Sequence, residues 1–276
     1  MSRDAIDYNR EAHDRFAESY DGGHPEIFNA VEQQRLAAAI ARAVREAAAG
    51  RGTPVRALDV GCGSGNLTRH LLDFGARVTA SDLSTKLLDL TRRRFEGTGR
   101  LETMVLNGSD LRPVADGTFD LVATYSVLHH VPDYVALVSE MARVTRPGGV
   151  VFIDHERTDA SWTSASYREF LQEAVVWPAR RWYYWLQPSR YWKRLKPFLS
   201  LPRVGDARRM PEGDLHVWPD DHIEWGRIAD ALRAADCEPI VEEDYLLYEP
   251  RFDRAAWERW RGKTSDMRML LARKAR

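Results

Sequence analysis

The chain has 276 residues, 44% of them hydrophobic, enough to bury a sizeable core as one domain, and its 40 basic and 41 acidic side chains leave a net charge of −1. That balance gives no global pull toward nucleic acid, and two cysteines, Cys62 and Cys237, make no disulfide framework, so a reducing cytoplasm is expected. Met1-Ser2-Arg3-Asp4 is followed by no apolar run, so neither a signal peptide nor a membrane span is expected.

Residues Ala30 to Ala49 have the alanine, leucine and paired charges of a surface-packed helix, which Gly50-Arg51-Gly52-Thr53-Pro54 stops. From Val55 onward apolar strands alternate with helical patterns at Leu67 to Phe74, Lys86 to Phe95 and Tyr134 to Val144, the order of a parallel sheet. The first strand runs into Leu58-Asp59-Val60-Gly61-Cys62-Gly63-Ser64-Gly65-Asn66. Glycines at 61, 63 and 65 allow a tight turn and remove the Cβ atoms that would block a ligand, while the next helix offers unpaired N–H groups. A nucleotide-like cofactor suits such a loop. Asn66 stands where a dinucleotide fingerprint has its third glycine, which weakens an NAD reading. Asp59, on the last turn of the strand, is open between a ligand role and holding the loop's amides. Cys62 reads as a small side chain that fits.

The second strand, Arg77 to Ser81, ends at Asp82, where a carboxylate can accept both hydrogen bonds of a ribose diol. The third, Leu101 to Leu106, is followed by Asp110, placed to meet an adenine amino group. The fourth begins at Phe119 and passes through Tyr125 and Ser126 to His129 and His130; Arg146-Pro147-Gly148-Gly149 then turns into a fifth strand ending at Asp154. Residues 156–221 break the alternation. After them, Asp220 to Ala235 reads as an amphipathic helix, with Asp220-Asp221 as cap rather than metal ligands, Pro239 to Tyr248 as a strand and Met267 to Ala272 as the last strand. Within the interruption, Trp177 to Phe198 holds eight aromatic and six basic residues and no acid. Three readings compete for it: a helical lid, a groove for an anionic or aromatic acceptor, and a patch touching lipid headgroups.

These motifs, in this order, resemble the class I S-adenosylmethionine-dependent methyltransferases, in the subgroup that includes the ubiquinone/menaquinone C-methyltransferases and many natural-product methyltransferases, well over residues 16–154 and loosely near the end of the chain. The resemblance implies an α/β, Rossmann-like, doubly wound seven-stranded sheet with its last strand antiparallel and a helical, aromatic-rich insertion after strand 5. One domain over 1–276 is expected: an N-terminal helical segment at 1–54, a cofactor-binding core at 55–155, a lid or acceptor insertion at 156–221, and completion of the sheet at 222–276. Carried onto this chain, Gly61, Gly63 and Gly65, with Asp59 beneath them, surround the methionine part of S-adenosylmethionine. Asp82 and Leu83 take the ribose, Asp110 and Leu111 the adenine, and Ser126 the outer side. Arg15 to Asp21 looks like the family's opening helix, with Tyr20 covering the methionine carboxylate.

The implied chemistry is methyl transfer from a sulfonium by aligned substitution, with S-adenosylhomocysteine as product; positioning supplies most of the rate. A hydroxyl or ammonium acceptor must lose a proton, and His155, His129 or His130 could take it. His129 and His130 favour a structural role, whereas His155 and Glu156, just past the fifth strand, are better placed for an acceptor. Enzymes that methylate nucleic-acid amino groups place an Asn/Asp-Pro-Pro-aromatic motif where this chain has Tyr125-Ser126-Val127-Leu128, and no Pro-Cys nucleophile is present. A small-molecule acceptor is therefore expected, with no nucleic-acid partner, no metal, and membrane contact confined to 177–198 if that segment meets lipid. Two other classes stay open: a cofactor-binding relative that transfers no methyl, and an NAD-linked oxidoreductase.

Overall fold

Seven strands form one sheet in the order β3-β2-β1-β4-β5-β9-β8, in a computed structural model that describes residues 2–49, 53–176, 208–209, 215–216 and 222–276. The strands are β1 (Arg56–Val60), β2 (Arg77–Asp82), β3 (Leu101–Val105), β4 (Phe119–Tyr125), β5 (Thr145–Arg157), β8 (Cys237–Tyr245) and β9 (Met267–Lys274). β1 to β5 pair in parallel, and β9 runs antiparallel between β5 and β8. β6 (Arg208–Arg209) and β7 (Leu215–His216) form a separate two-stranded ladder.

β4 is buried along its whole length, as a central parallel strand covered on both faces must be. One face packs Leu58, Val122, Val151 and Ile153 against α6 (Tyr134–Val144) and α9 (Trp225–Ala234); the other packs Leu121, Phe152 and Leu271 against α3 (Ala30–Ala48) and α4 (Asn66–Asp73). Short polar residues cap several of the helices at their starts. Asn29 accepts from the N–H groups of Val31 and Glu32, Ser84 caps α5 (Thr85–Phe95), and Asp133 caps α6.

Four sequence expectations need correction. The fifth strand does not end at Asp154: β9 pairs with it as far as Glu156↔Arg268 and Arg157↔Met267, and a bulge absorbed by a left-handed His155 (φ 63°) carries it past the irregular register. His155 and Glu156 therefore lie within a strand, both buried. The helix expected from Asp220 begins at Trp225, with Glu224 as N-cap and the Trp225 indole donating to the Arg157 carbonyl at 2.9 Å; Asp220 and Asp221 lie outside the described residues. β8 starts at Cys237, two residues before Pro239, which an edge strand tolerates beside a register shift. Arg15 to Asp21 is not one helix but a junction: α1 (Ser2–Phe16) ends there, a 3-10 turn follows, and α2 (Tyr20–Gly23) begins.

The insertion opens with two helices, α7 (Ala160–Thr163) and α8 (Ala165–Ala174), and its described residues beyond Val176 form the β6–β7 ladder. Tyr167, Phe170 and Ala174 of α8 pack on Phe252, Ala256 and Trp257, so α8 and α10 (Arg254–Trp260) share an aromatic core. Phe170 meets Phe252 edge-on at 5.0 Å. The aromatic and basic stretch 177–198 lies outside the described residues. β7 returns to lie against α1 and the turn Leu128–His130, above the carboxyl ends of the parallel strands. Among the described residues no helix is long and apolar enough to cross a membrane.

Candidate active site

The loop after β1 is fastened from two sides. Gly61 and Cys62 both donate to the Ser81 carbonyl at 2.8 Å, and Gly63 donates to Asp82 Oδ2 at 2.8 Å. From α5, Thr91 Oγ1 donates to the Gly63 carbonyl at 3.0 Å and Arg94 to the Ser64 carbonyl at 2.8 Å. Gly61 has φ 72°, and a Cβ there would stand 2.6 Å from Val127; a Cβ on Gly65, at φ 92°, would stand 2.7 Å from the Phe95 ring. Both positions demand glycine, the first to let the loop after β4 close in, the second to seat α5.

Asp82 is the tie between the two strand ends. Its Oδ1 accepts the Ser84 N–H at 2.8 Å, and each oxygen keeps a further lone pair for a ligand. Burial pushes its carboxyl above the usual range, although the neighbouring His13 charge and three backbone amides oppose this. Asp59 does not hold the loop's amides. It accepts the Thr68 hydroxyl at 2.6 Å, and burial pushes its pKa up to about 7.

These loops enclose about 1070 Å³ of space, part of it open to solvent, at the carboxyl edge of the sheet where open α/β folds bind ligands. Of the cofactor-binding and catalytic candidates read from the sequence, Tyr20, Gly61, Gly63, Asp82, Leu83, Asp110, Ser126 and His130 line it. The others stand behind. Gly65 faces α5 and Asp59 faces Thr68; Leu111 is buried in the core with its N–H on Glu140 at 3.1 Å. Asp110 is at the rim, its carboxylate held by Arg112 at 2.6 Å and Asn107 at 3.0 Å; the backbone amide of Arg112 is the chief cause of its lowered pKa.

The three histidines separate into distinct surroundings. His130 lines the cavity. His129 is buried beside it, ring centroids 4.1 Å apart, with Nδ1 2.9 Å from Glu156 Oε2; Glu156 Oε1 accepts the N–H groups of Val127 and Leu128 at 2.8 and 2.6 Å. Glu156 thus fixes the turn that presents His130. His155 is not part of the cavity lining; it stacks on Tyr125 at 4.6 Å with Nδ1 3.6 Å from Glu32 Oε1. The acceptor-facing role expected of His155 and Glu156 rested on a strand end that β9 moves.

Two groups of residues were not anticipated. α1 lays Ile6, Asn9 and His13 along the cavity, a spacing that puts them on one helical face. Beneath, Glu32 of α3 is buried rather than on a surface: Arg35 bridges it at 2.6 Å and Asp154 at 2.8 Å, and the Tyr125 hydroxyl donates to it at 2.9 Å. Burial raises the Glu32 pKa, but the Arg35 hydrogen bonds and charge outweigh it and hold the carboxylate down to about 2. The guanidinium also lies 3.8 Å over the Tyr245 ring, so α3, β5 and β8 are clamped together.

The cavity fits a nucleoside-bearing amino acid on two observations. The hydroxyl of Ser64 and the amide nitrogen of Asn66, both lining it, are buried without a hydrogen-bond partner, and Gly61 and Gly63 bare the backbone between them.

Comparison with known proteins agrees. Residues 58–153 match the family described as methyltransferase domain. The ubiquinone biosynthesis O-methyltransferase of Xanthomonas campestris pv. campestris (strain B100) is 37% identical over 203 residues, 72% of this chain and 69% of that protein. The protein of the same name from Xanthomonas oryzae pv. oryzae (strain PXO99A) is 38% identical over 112 residues, 40% of this chain and 47% of its own length. Among solved structures, magnesium protoporphyrin IX methyltransferase from Synechocystis PCC 6803 with bound S-adenosylmethionine overlays at TM-score 0.56 and 15% identity, covering 98% of this chain and 97% of that one. An S-adenosylmethionine-dependent methyltransferase from Mesorhizobium loti gives TM-score 0.54 and 19% identity over 86% of this chain and 96% of that one. The chain belongs to the class I S-adenosylmethionine-dependent methyltransferases. It is an enzyme that takes S-adenosylmethionine as methyl donor, and nothing in fold or site favours the non-transferring or NAD-linked alternatives.

Proposed function

We propose that this methyltransferase transfers its methyl group to an oxygen of a small phenolic acceptor of the quinone-precursor type, with His130 taking the hydroxyl proton. The observation that carries the reading is a single cavity lined at once by the glycine loop, Asp82 and His130, in a chain 37% identical to a protein named for O-methylation in ubiquinone biosynthesis.

In this reading Gly61, Gly63, Ser64 and Asn66 hold the amino-acid end of the donor, Asp82 its ribose diol, Leu83 and Asp110 the adenine side, and Tyr20 covers the tail. The bound donor supplies an electrophilic methyl on a sulfonium. The chain's own residues align and dry the reacting atoms, which is most of what such a substitution asks. A phenol still has to lose its proton, and an imidazole within reach of the hydroxyl can take it. Of the two histidines that line the cavity, His13 acts on the Asp82 charge and His130 stands 6.0 Å from it on the turn after β4, where the His129–Glu156 pair keeps that turn in place. Ser126, in a left-handed conformation with φ 60° and its N–H on the Asp154 carbonyl at 3.0 Å, sets the direction in which that turn leaves β4.

The test is incubation of the purified chain with methyl-labelled S-adenosylmethionine and a 3-alkyl catechol, with mass spectrometry of the products. A labelled methyl ether formed one-to-one with S-adenosylhomocysteine supports the reading. Label on carbon or nitrogen, or no transfer to phenols while another acceptor class is methylated, overturns it.

A further inference from the structure

A second concavity lies at the opposite, amino edge of the sheet. It encloses about 1170 Å³ of space, part of it open to solvent, between the starts of β1, β2, β3 and β4. Arg56, Arg77 and Arg100 line it together with Glu102 and an apolar wall of Pro113, Val114 and Ala115.

The three arginines form a row set by strand register. Arg56 pairs directly with Arg77 across the β1–β2 ladder. Val78 pairs with Leu101, and its N–H donates to the Arg100 carbonyl at 2.8 Å, which sets Arg100 beside Arg77 in the next step. In-register residues of a parallel sheet project to one face, so three cations stand side by side within about 10 Å, two strand spacings. Such a row is costly, because like charges directly opposite one another destabilise a sheet. Among the described residues none of the three is ion-paired: Arg56 lies 5.7 Å over the Phe119 ring and Arg100 reaches the Ala76 carbonyl at 3.4 Å. The neighbouring acid that could neutralise the row, Asp120, accepts the Arg56 backbone N–H at 2.8 Å but is bridged by Arg146. Among the described residues Glu102 alone lines the groove with negative charge, leaving it cationic.

We propose that this row is a binding site for a small oligophosphate, a nucleoside diphosphate or triphosphate, separate from the methyl-donor cavity. Planar guanidinium groups match phosphoryl oxygens two at a time, and three of them in a line match a chain of phosphoryl groups better than a single anion. The apolar wall beside the row suits the nucleoside. A phospholipid headgroup shares the phosphate chemistry but presents one phosphoryl group at a surface, whereas this arginine row spans three strands.

The experiment is calorimetric titration of the full chain with sodium tripolyphosphate, ATP and inorganic phosphate, and sedimentation with phosphatidylglycerol vesicles, each repeated on R77Q, with melting temperatures of both free proteins as the check on folding. Tripolyphosphate and ATP should bind about tenfold tighter than inorganic phosphate, and R77Q should weaken them about fivefold. The free R77Q protein should melt about 1–2 °C higher than the wild type, since one repulsive neighbour is gone. Failure of tripolyphosphate to bind, equal affinity in R77Q, or capture by vesicles without binding of soluble oligophosphates each overturns the proposal.

Discussion

The Gly63 N–H donates to Asp82 Oδ2 at 2.8 Å, so the residue best placed to hold a ribose also holds the loop that meets the donor's other end. Binding and loop shape are therefore linked through one carboxylate, whose other oxygen caps the Ser84 N–H.

Replacing Asp82 with Ala leaves both amides without their acceptor and removes the proposed ribose contact. Affinity for S-adenosylhomocysteine should fall by about 1–3 kcal/mol, and the melting temperature should fall with it. Titration calorimetry together with thermal unfolding checks both; an unchanged affinity in a folded variant would remove Asp82 from the site.

Gly65→Ala forces a Cβ against the Phe95 ring and strains a left-handed backbone, at a cost of about 1–3 kcal/mol of stability. Gly75→Ala, also at positive φ but with nothing within 4 Å of its Cβ, should cost less. Chemical denaturation of the two variants measures the difference, and equal losses would mean that packing on α5 adds nothing.

Arg35 stands between two buried carboxylates, Glu32 and Asp154. Arg35→Met strands both, and a loss of about 3–5 kcal/mol in unfolding free energy is expected. A loss below about 1 kcal/mol would contradict the reading of this cluster as the clamp between α3 and β5.

The pH dependence of stability should carry the mark of Asp59. Its folded pKa is raised from 3.8 to about 7 by burial, so the folded state binds the proton more tightly than the unfolded state. The associated stability is full below the unfolded value and is lost as pH rises from about 4 through 7. Asp59→Asn lacks that loss. The melting temperature of the variant relative to wild type should therefore climb between pH 4 and 7 and level off above it, by the equivalent of about 2–4 kcal/mol. A gap that stays constant with pH would show that Asp59 titrates near its ordinary value.

Glycine spacing, the acids at the ends of β2 and β3, and the alternation of apolar strands with capped helices are local signals, and they placed β1 to β4, α3 to α6 and most of the cavity wall. What escaped the sequence depends on partners far along the chain. The extension of β5 through His155 exists because β9, more than a hundred residues later, pairs with it. Burial of Glu32 depends on Asp154 and Tyr125, so a residue that reads as one polar position on an amphipathic helix becomes part of the interior. α1 carries no motif; only the one-face spacing of Ile6, Asn9 and His13 hints at its contact with the cavity. The sequence puts His155 just past a strand end, whereas pairing with β9 keeps it inside β5, buried against Tyr125 and Glu32.

The most direct measurement is a crystal structure of the chain with S-adenosylhomocysteine. The ribose hydroxyls are expected on the Asp82 carboxylate, the amino-acid end against Gly61, Gly63, Ser64 and Asn66 under Tyr20, and the sulfur toward the side lined by His130. A ligand found elsewhere, or one bound with Asp82 out of hydrogen-bond range of the ribose, would contradict that placement.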